Sequence, residues 1–512
     1  MLTLTPNAAR QLLADEELSR SRHPVDQITQ AAAISFMDAT QRESPENLIY
    51  VDLLCRLALA ENSSISLPAV AALYHRIIEP LSDDFQPAST RTGNMVLARL
   101  IHQVGRRPRE TVFSQLLDHW QLYNESDLIL RWEKVTNQPP IPKLWKKTVT
   151  KIFIPSRVTS GADIAITSIM AHRLSASFPN AQVILVGPAH LGIMFHDCPH
   201  ISASLFEVNR QGNLDERILF WPQLAELIQQ QIGNTPAGTT LLFDPDSRLT
   251  QLGLLPLLPT PYTFHFNSRS FGQALEPYSL SLAVNRWLNL LLNESADHSP
   301  QVCPPHSLRT SSALLCRTFR DQGCRNLLLI NFGVGGNPRK RLGDPFEEEL
   351  LTRLLNWDKT IILLDMGTGS EEKIRVEKLL KTIGIKGTPT DLLSDHHSMP
   401  PRQVINHGLV GFESSIGGLA AMAGQVDTYI GYDSCGQHLA AAAGIETITV
   451  FAGAPNERFI HRWTPWTKNN PVTVIPVAPG PDHPPLMMAA IIDKILNTIN
   501  PKQTEPFGAN IE

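Results

Sequence analysis

Two stretches of this chain combine residue types and spacing suited to a phosphorylated, hydroxyl-rich ligand. The first is Asn331-Phe-Gly-Val-Gly-Gly-Asn-Pro-Arg-Lys-Arg341, which follows an apolar run. Gly333, Gly335 and Gly336 would let backbone N–H groups approach an anion, and Arg339, Lys340 and Arg341 supply positive charge. Pro338 stands where a dinucleotide fingerprint needs its third glycine, and no Gly-Lys-Ser/Thr closes a triphosphate loop. The bland reading is a glycine turn followed by solvated basic residues. Asp365-Met-Gly-Thr-Gly-Ser370 is a second such turn, read as a plain one. The most specific stretch is Tyr429-Ile-Gly-Tyr-Asp-Ser-Cys-Gly-Gln-His-Leu-Ala-Ala-Ala-Ala-Gly444. Here a strand would deliver Asp433 and Ser434 to its carboxyl end, and the small residues after His438 would let a helix pack closely and start near a ligand. Amides at that helix start favour phosphate, while Asp433 can bind sugar hydroxyls. His438 reads equally as a helix-start hydrogen bonder or a ligand contact.

Other polar residues have plainer readings. Asp163 alone is a helix cap. His190 and the run His196-x-Cys198-x-His200 crowd donors together, but zinc sites space ligands across a turn and draw a second pair from elsewhere. An ordinary loop and no metal are therefore expected. Glu457, Arg458, His461 and Arg462 follow the Ala452-Gly453 turn, where a ligand contact and a solvated rim are both open readings.

Three regions must position these residues. Residues 1–146 read as helical: Thr5-Pro6 is a cap and first-turn proline before Ala8 to Leu18. Leu48, Ile49, Leu53, Leu57 and Ala60 recur near helical period, as do Val112, Phe113, Leu116, Leu117 and Trp120. No cluster of catalytic residue types appears there. This region is expected to leave the ligand pocket to the rest of the chain, and to pack on it, mediate homo-oligomerisation or recruit a second substrate. Residues 147–298 alternate: Val149–Pro155, Gln182–Gly187 and Thr240–Asp244 as strands, Ile164–Phe178 and Tyr278–Asn293 as helices. Pro300, Pro304 and Pro305 mark residues 299–312 as a linker. Residues 313–500 alternate again, with strands at Asn326–Asn331, Thr360–Asp365, Asp427–Gly431 and Glu446–Phe451. Helices are expected there at Pro345–Trp357, Glu371–Ile383, His438–Ala443 and Leu486–Ile499, before a polar tail, 501–512. Two such sets imply two parallel α/β domains facing one another, with the site in the cleft beyond their strand ends.

Composition bounds the alternatives. The 512 residues are 42% hydrophobic, enough for several cores and against general disorder. A net charge of -5 without a Lys/Arg block argues against a nucleic-acid partner. The most apolar stretch, Leu280 to Leu292, is broken by Asn285, Arg286 and Asn289, and the first residues lack a basic-then-apolar leader. Six cysteines without a CxxC pair read as reduced thiols of a cytoplasmic protein.

On these motifs the chain resembles the heptosyltransferases, glycosyltransferase family 9, of GT-B fold. The family's Asp-Ser/Thr-Gly-x-x-His motif, alanine-rich helix and strand ending in an aromatic-Gly turn are matched by Asp433, Ser434, His438, Ala440 to Ala442 and Gly453. Cys435 stands where the family has glycine, with Gly436 displaced by one. Lys151 to Ser168 resembles the family's opening strand and Gly-Asp loop, matching at Asp163, Thr167, Phe178 and Pro179, with Ala162 inserted after Gly161. The segment ending Lys340-Arg341 resembles its diphosphate-binding turn. The resemblance runs over about 148–500 and leaves the helical region uncovered. It implies two facing Rossmann-like domains with a central cleft, preceded here by an all-α domain. It also implies inverting transfer of a heptose-like sugar from a nucleotide-diphosphate sugar, ADP-linked above others, to a hydroxyl of a glycan, lipid-linked or protein acceptor. Lipopolysaccharide or another surface glycan, made at the inner membrane face, is the implied setting. Asp163 would be the base; Lys340, Arg341 and the amides after Ser434 would hold the leaving group, with Arg339 in reserve and no cofactor or metal required. A sugar-nucleotide epimerase on the same fold and a non-catalytic glycan- or nucleotide-binding protein are the rival readings.

Overall fold

The structure, a computed structural model, describes residues 3–15, 25–42, 47–107, 109–209, 212–236, 238–272, 278–395, 403–468, 470–478 and 483–499. Before Lys151 every described element is a helix. Thr5 caps the first, accepting from the Ala8 amide with Pro6 in the first turn; the helix is Pro6–Ala14, ended by an extended Asp15 short of the expected Leu18, and residues 16–18 lie outside the described residues. Asn124 and Asp127 form a reciprocal capping box at the start of Glu125–Thr136.

Two sheets follow. The first comprises β1 (Lys151–Pro155), β2 (Gln182–Gly187), β3 (Ile201–Leu205), β4 (Thr240–Asp244) and β5 (Thr263–His265), in the order β3-β2-β1-β4-β5. The second comprises β6 (Asn326–Asn331), β7 (Thr360–Asp365), β8 (Thr390–Ser394), β9 (Gly408–Glu413), β10 (Thr428–Tyr432), β11 (Glu446–Phe451) and β12 (Val472–Pro476). Its order is β12-β11-β10-β6-β7-β9-β8, and every pairing in both sheets is parallel. The α/β class and the paired domains are thus as the alternation implies. The strands that reasoning from sequence misses are β3, β5, β8, β9 and β12. β3, β8 and β12 are sheet-edge strands only partly buried and β5 has three residues, while β9, buried inside the sheet, is a short apolar run broken by Gly411.

Two expected boundaries shift. Helix His306–Asp321 begins inside the segment read as linker, because Pro305 occupies its cap rather than stopping it. Helix Cys435–Ala443 begins three residues before His438, directly after Ser434.

An all-parallel sheet must be covered on both faces. Alternate residues of β1 divide accordingly: Ile152 and Ile154 join a core with helices Ser168–Ser177 and Leu280–Leu292, whereas Phe153 points the other way. On that second face Phe153, Ile184, Val186 and Leu242 share one core with Phe36, Leu54, Leu97 and Phe113 of the helical region. Trp221, fully buried, sits between them: its ring meets Phe113 edge-on at 5.2 Å and its Nε1–H donates to Pro256 O at 2.8 Å. The helical region is therefore one cover of the first sheet. No helix among the described residues is long and apolar enough to cross a membrane.

Trp221→Ala should cost about 3–5 kcal/mol, read by denaturant unfolding. A chain starting near Pro142 keeps helix Trp221–Ile232 on that face but loses the apolar side chains of the N-terminal helices that complete its core. It should bind a hydrophobic dye and lose cooperative melting; a cooperative melt like that of the full chain would show that the face is covered in another way.

Candidate functional site

Strand order reverses beside the first strand of each sheet, at β1 and at β6, and the loops leaving these two points line one cavity. In the second sheet β6 and β10 are neighbours although the chain visits β7, β8 and β9 between them. The glycine turn after β6 and the Asp433 segment after β10 are thereby brought side by side. In the first sheet β1 and β4 are neighbours, so the loop after β1 meets the turn after β4: Arg157 Nη1 donates to Pro245 O at 2.7 Å. Between the domains lies a cavity of about 680 Å³, within the range that holds a nucleotide-sized ligand. The domains meet at this cavity, where a Cβ on Gly161 would lie 3.4 Å from Cys435 Cα.

Residues of the glycine turn and of the Asp433 segment gather there. Lys340 Nζ lies 2.5 Å from Asp433 Oδ2 and 5.5 Å from the centroid of the Phe459 ring, facing the cavity. Gln437, fully buried, donates to Asp433 Oδ1 at 2.8 Å and accepts from Thr449 on β11, which fixes the carboxylate against the sheet. Ser434 is the N-cap of Cys435–Ala443, but its hydroxyl caps no amide, so the first amides of that helix keep no side-chain cap. His438 is buried against the cavity with Nδ1 unpartnered; burial, and then the charge of Lys340, push its pKa down to about 3. It is a neutral imidazole at physiological pH. The Cys435 thiol is pushed up to about 12 by burial and stays protonated.

Several expected residues stand elsewhere. Arg341 turns inward: it donates to Phe332 O at 3.2 Å and lies 3.6 Å from the fully buried Glu347, so its charge serves the core of the second domain. Gly335 lines the cavity with φ +60; Gly336, φ +82, completes the turn. Gly436 does not face the ligand space: a Cβ there would meet Tyr429 Oη at 2.3 Å, so its smallness lets the helix lie on β10. The exposed Arg339 is the backbone neighbour of Gly453, where a Cβ would lie 2.3 Å from Arg339 O.

Asp163 is fully buried and saturated. Its carboxylate accepts from Ser156 Oγ (2.6 Å), Arg157 N (2.9 Å) and Thr167 Oγ1 (2.8 Å), and His190 Nε2 lies 2.8 Å away. The cap reading does not hold: Asp163 lies inside the helical run 160–177, whose N-cap is Thr159, and its carboxylate instead organises the loop after β1 and does not line the cavity. Proton abstraction by direct contact, expected of Asp163, is not offered by this geometry. His196 pairs with Asp197 at 2.8 Å and His200 adopts φ +60, so His-x-Cys-x-His forms no cluster of its own.

The residues that sequence reasoning misses come from loops and from the helical region. Arg157, Arg217, Arg248 and Arg269 line the first-domain wall. Burial alone would raise Asp246 behind them, but Arg269 at 3.0 Å, His265 and Arg157 hold it below the usual carboxylate range. The expectation that residues 1–146 leave the cavity alone does not hold: Tyr74, Glu79, Ser82, Asp83 and Phe85 line it. This segment touches both domains. Glu79 pairs with Arg248 at 3.2 Å, Asn456 Nδ2 donates to Asp83 O at 3.2 Å, Arg458 pairs with Asp84, and Phe85 meets Phe459 at 6.4 Å. Burial pushes the Asp83 carboxyl up to about 7, with Arg248 opposing and Glu79 adding to the rise. No local pattern marks Asp83; its helix reads as scaffold.

No protein-family model matches the chain, and no curated protein matches it in sequence. Among solved structures it is similar to the glycosyl transferase family 9 from Veillonella parvula DSM 2008, with 15% identity, 72% of this chain and 94% of that one covered, and a TM-score of 0.44. It is similar to E. coli ADP-heptose LPS heptosyltransferase II at 13% identity, with 68% and 98% covered and a TM-score of 0.45. A third is E. coli heptosyltransferase WaaC with ADP-2-deoxy-2-fluoro heptose, at 13% identity, 68% and 100% covered, and a TM-score of 0.42.

Proposed function

We propose that this protein transfers a sugar from a nucleotide-diphosphate sugar to an acceptor hydroxyl, with inversion. The observation that carries this reading is one cavity holding Lys340, beside a helix start free of side-chain caps, together with Asp83, a carboxyl titrating near neutrality. The diphosphate would sit on Lys340 and the first amides of Cys435–Ala443, which stabilise charge as it develops on the leaving oxygen. Neutral His438 and Asp433 would hydrogen-bond ribose or sugar hydroxyls. The acceptor oxygen forms its bond to the anomeric carbon as the bond to the diphosphate oxygen breaks, and its proton passes to a carboxylate.

Asp83 is the better base than Asp163, because it lines the cavity and its proton affinity matches neutral pH. Asp365, also raised to about 7 by burial, accepts from Asn331 Nδ2 at 2.6 Å and stands on the leaving-group domain. The Asp433–His438 motif favours an ADP-linked heptose and an acceptor in surface glycan synthesis, with the enzyme working in the cytoplasm at the membrane face. Oligomerisation through the helical region belongs to the same reading. Calorimetry with ADP, UDP and GDP, then donor turnover with and without acceptor, tests it. Donor conversion that needs no acceptor would identify an epimerase, and binding without turnover a non-catalytic module.

Lys340→Ala should weaken nucleotide binding at least about tenfold, roughly 1.4 kcal/mol. Arg341→Ala should instead lower the melting temperature and leave affinity unchanged. Equal losses of affinity in both would put the diphosphate on the pair.

As the base, Asp83 must be deprotonated, so turnover should rise with pH through about 7. Asp83→Asn should remove that acid limb and lower turnover about 10²- to 10⁴-fold while nucleotide affinity holds. Asp163→Asn should lower thermal stability, and a retained acid limb in it would separate the two roles.

A further inference from the structure

Outside the cleft, three metal-ligating side chains from distant segments converge on one point. His172 lies on helix Ser168–Ser177, Cys198 in the loop before β3, and Cys303 in the segment that crosses between the two α/β domains. The His172 imidazole nitrogen and both Sγ atoms lie within 4.8 Å of one another, with Cys198 Sγ and His172 Nε2 3.7 Å apart. We propose that this is a Cys2His site for a thiophilic divalent cation, Zn²⁺ foremost, which fastens the interdomain segment to the first domain.

The spacing suits the ion. With Zn–S of about 2.3 Å and Zn–N of about 2.0 Å, a tetrahedral edge between sulfur and nitrogen is about 3.5 Å. The observed separation is close to that edge before any ion has drawn the donors in. Two thiolates and an imidazole select Zn²⁺ over the oxygen-seeking Mg²⁺ and Ca²⁺.

The backbone holds the donors in place. Cys303 N donates to Met194 O at 2.7 Å and Asp197 N donates to Cys303 O at 3.0 Å, so Cys303 is laced to the loop that carries Cys198. Asp197 also pairs with Arg309 at 2.8 Å, tying in the next helix. The ring of buried Phe195 lies 6.3 Å from that of His172. Cys198 is only 6% exposed, whereas His172 and Cys303 are half-buried and leave a way in. The buried cysteines Cys55, Cys316 and Cys324 belong to no such cluster among the described residues. Each Sγ–H is lost as its bond to the ion forms, so binding releases up to two protons per ion and tightens as pH rises.

The full chain, kept reduced and stripped with a chelator, is titrated with Co²⁺ and then Zn²⁺. One equivalent of Co²⁺ should give a thiolate-to-cobalt charge-transfer band and tetrahedral visible bands, both abolished by Zn²⁺. Zn²⁺ should raise the melting temperature. Cys198→Ser and Cys303→Ser should each lose the charge-transfer intensity and weaken binding at least about a hundredfold, while Cys316→Ser keeps both. Since Cys303 is half-buried on an irregular segment, its serine variant tests the site even if Cys198→Ser unfolds. A wild type without the charge-transfer band, a band that survives in Cys303→Ser, or a Cys198–Cys303 disulfide that persists under reductant and excludes the ion would each overturn the site.

Discussion

Everything in this protein rests on giving the first sheet a second cover. A parallel five-stranded sheet presents two apolar faces, and on the second the returning helix Trp221–Ile232 shares the cover with the N-terminal helices. Phe153, Ile184, Val186 and Leu242 are completed from the N-terminal side of the chain, through Phe36, Leu54, Leu97 and Phe113, with Trp221 as the shared wedge. That hydrophobic contact fixes where the helical region sits. Once it is fixed, segment 79–85 has only one place to be: over the mouth of the cleft, between the domains. Structural cover and site completion are two consequences of one packing requirement.

The same segment then binds the second domain by different forces. Polar contacts from Asn456 and Arg458 hold the backbone at Asp83 and Asp84, and Phe85 meets Phe459, whose ring also faces Lys340. The segment carrying Asp83 and the Lys340 ammonium are thus linked through the Phe459 ring. Charge is distributed to match. Carboxylates needed for architecture, Asp163 and Asp246, are buried under donors or cations, while Asp83 keeps a proton affinity suited to exchange near neutral pH.

Much of the donor side was legible because its determinants are local. A strand ending in Asp433, a helix of small residues and a glycine turn are readable within twenty-residue windows, and strand adjacency at the reversal point brings them together. Errors arose where type was right and direction was not. Lys340 and Arg341 are neighbours in sequence, yet one enters the cavity and the other reaches Glu347, because the 3-10 turn Pro338–Lys340 ends between them and the backbone becomes extended at Arg341. Asp163 reads as a loop or cap carboxylate but is the fourth residue of a helical run, and its burial beneath Ser156, Thr167 and His190 depends on how the loop after β1 folds back.

The sequence by itself determined the α/β alternation, the two facing domains, the helical character of the first 146 residues and the strand-end position of Asp433, since periodicity and turn chemistry act over a few residues. Only the tertiary structure decided which residues meet across long stretches of chain. It placed Asp83 in the cleft with Lys340 and removed Asp163 and Arg341 from it. It also dismantled His-x-Cys-x-His and gave Cys198 two distant partners instead. The reason is physical: burial and long-range contact depend on which apolar faces find each other, and no local window contains that information.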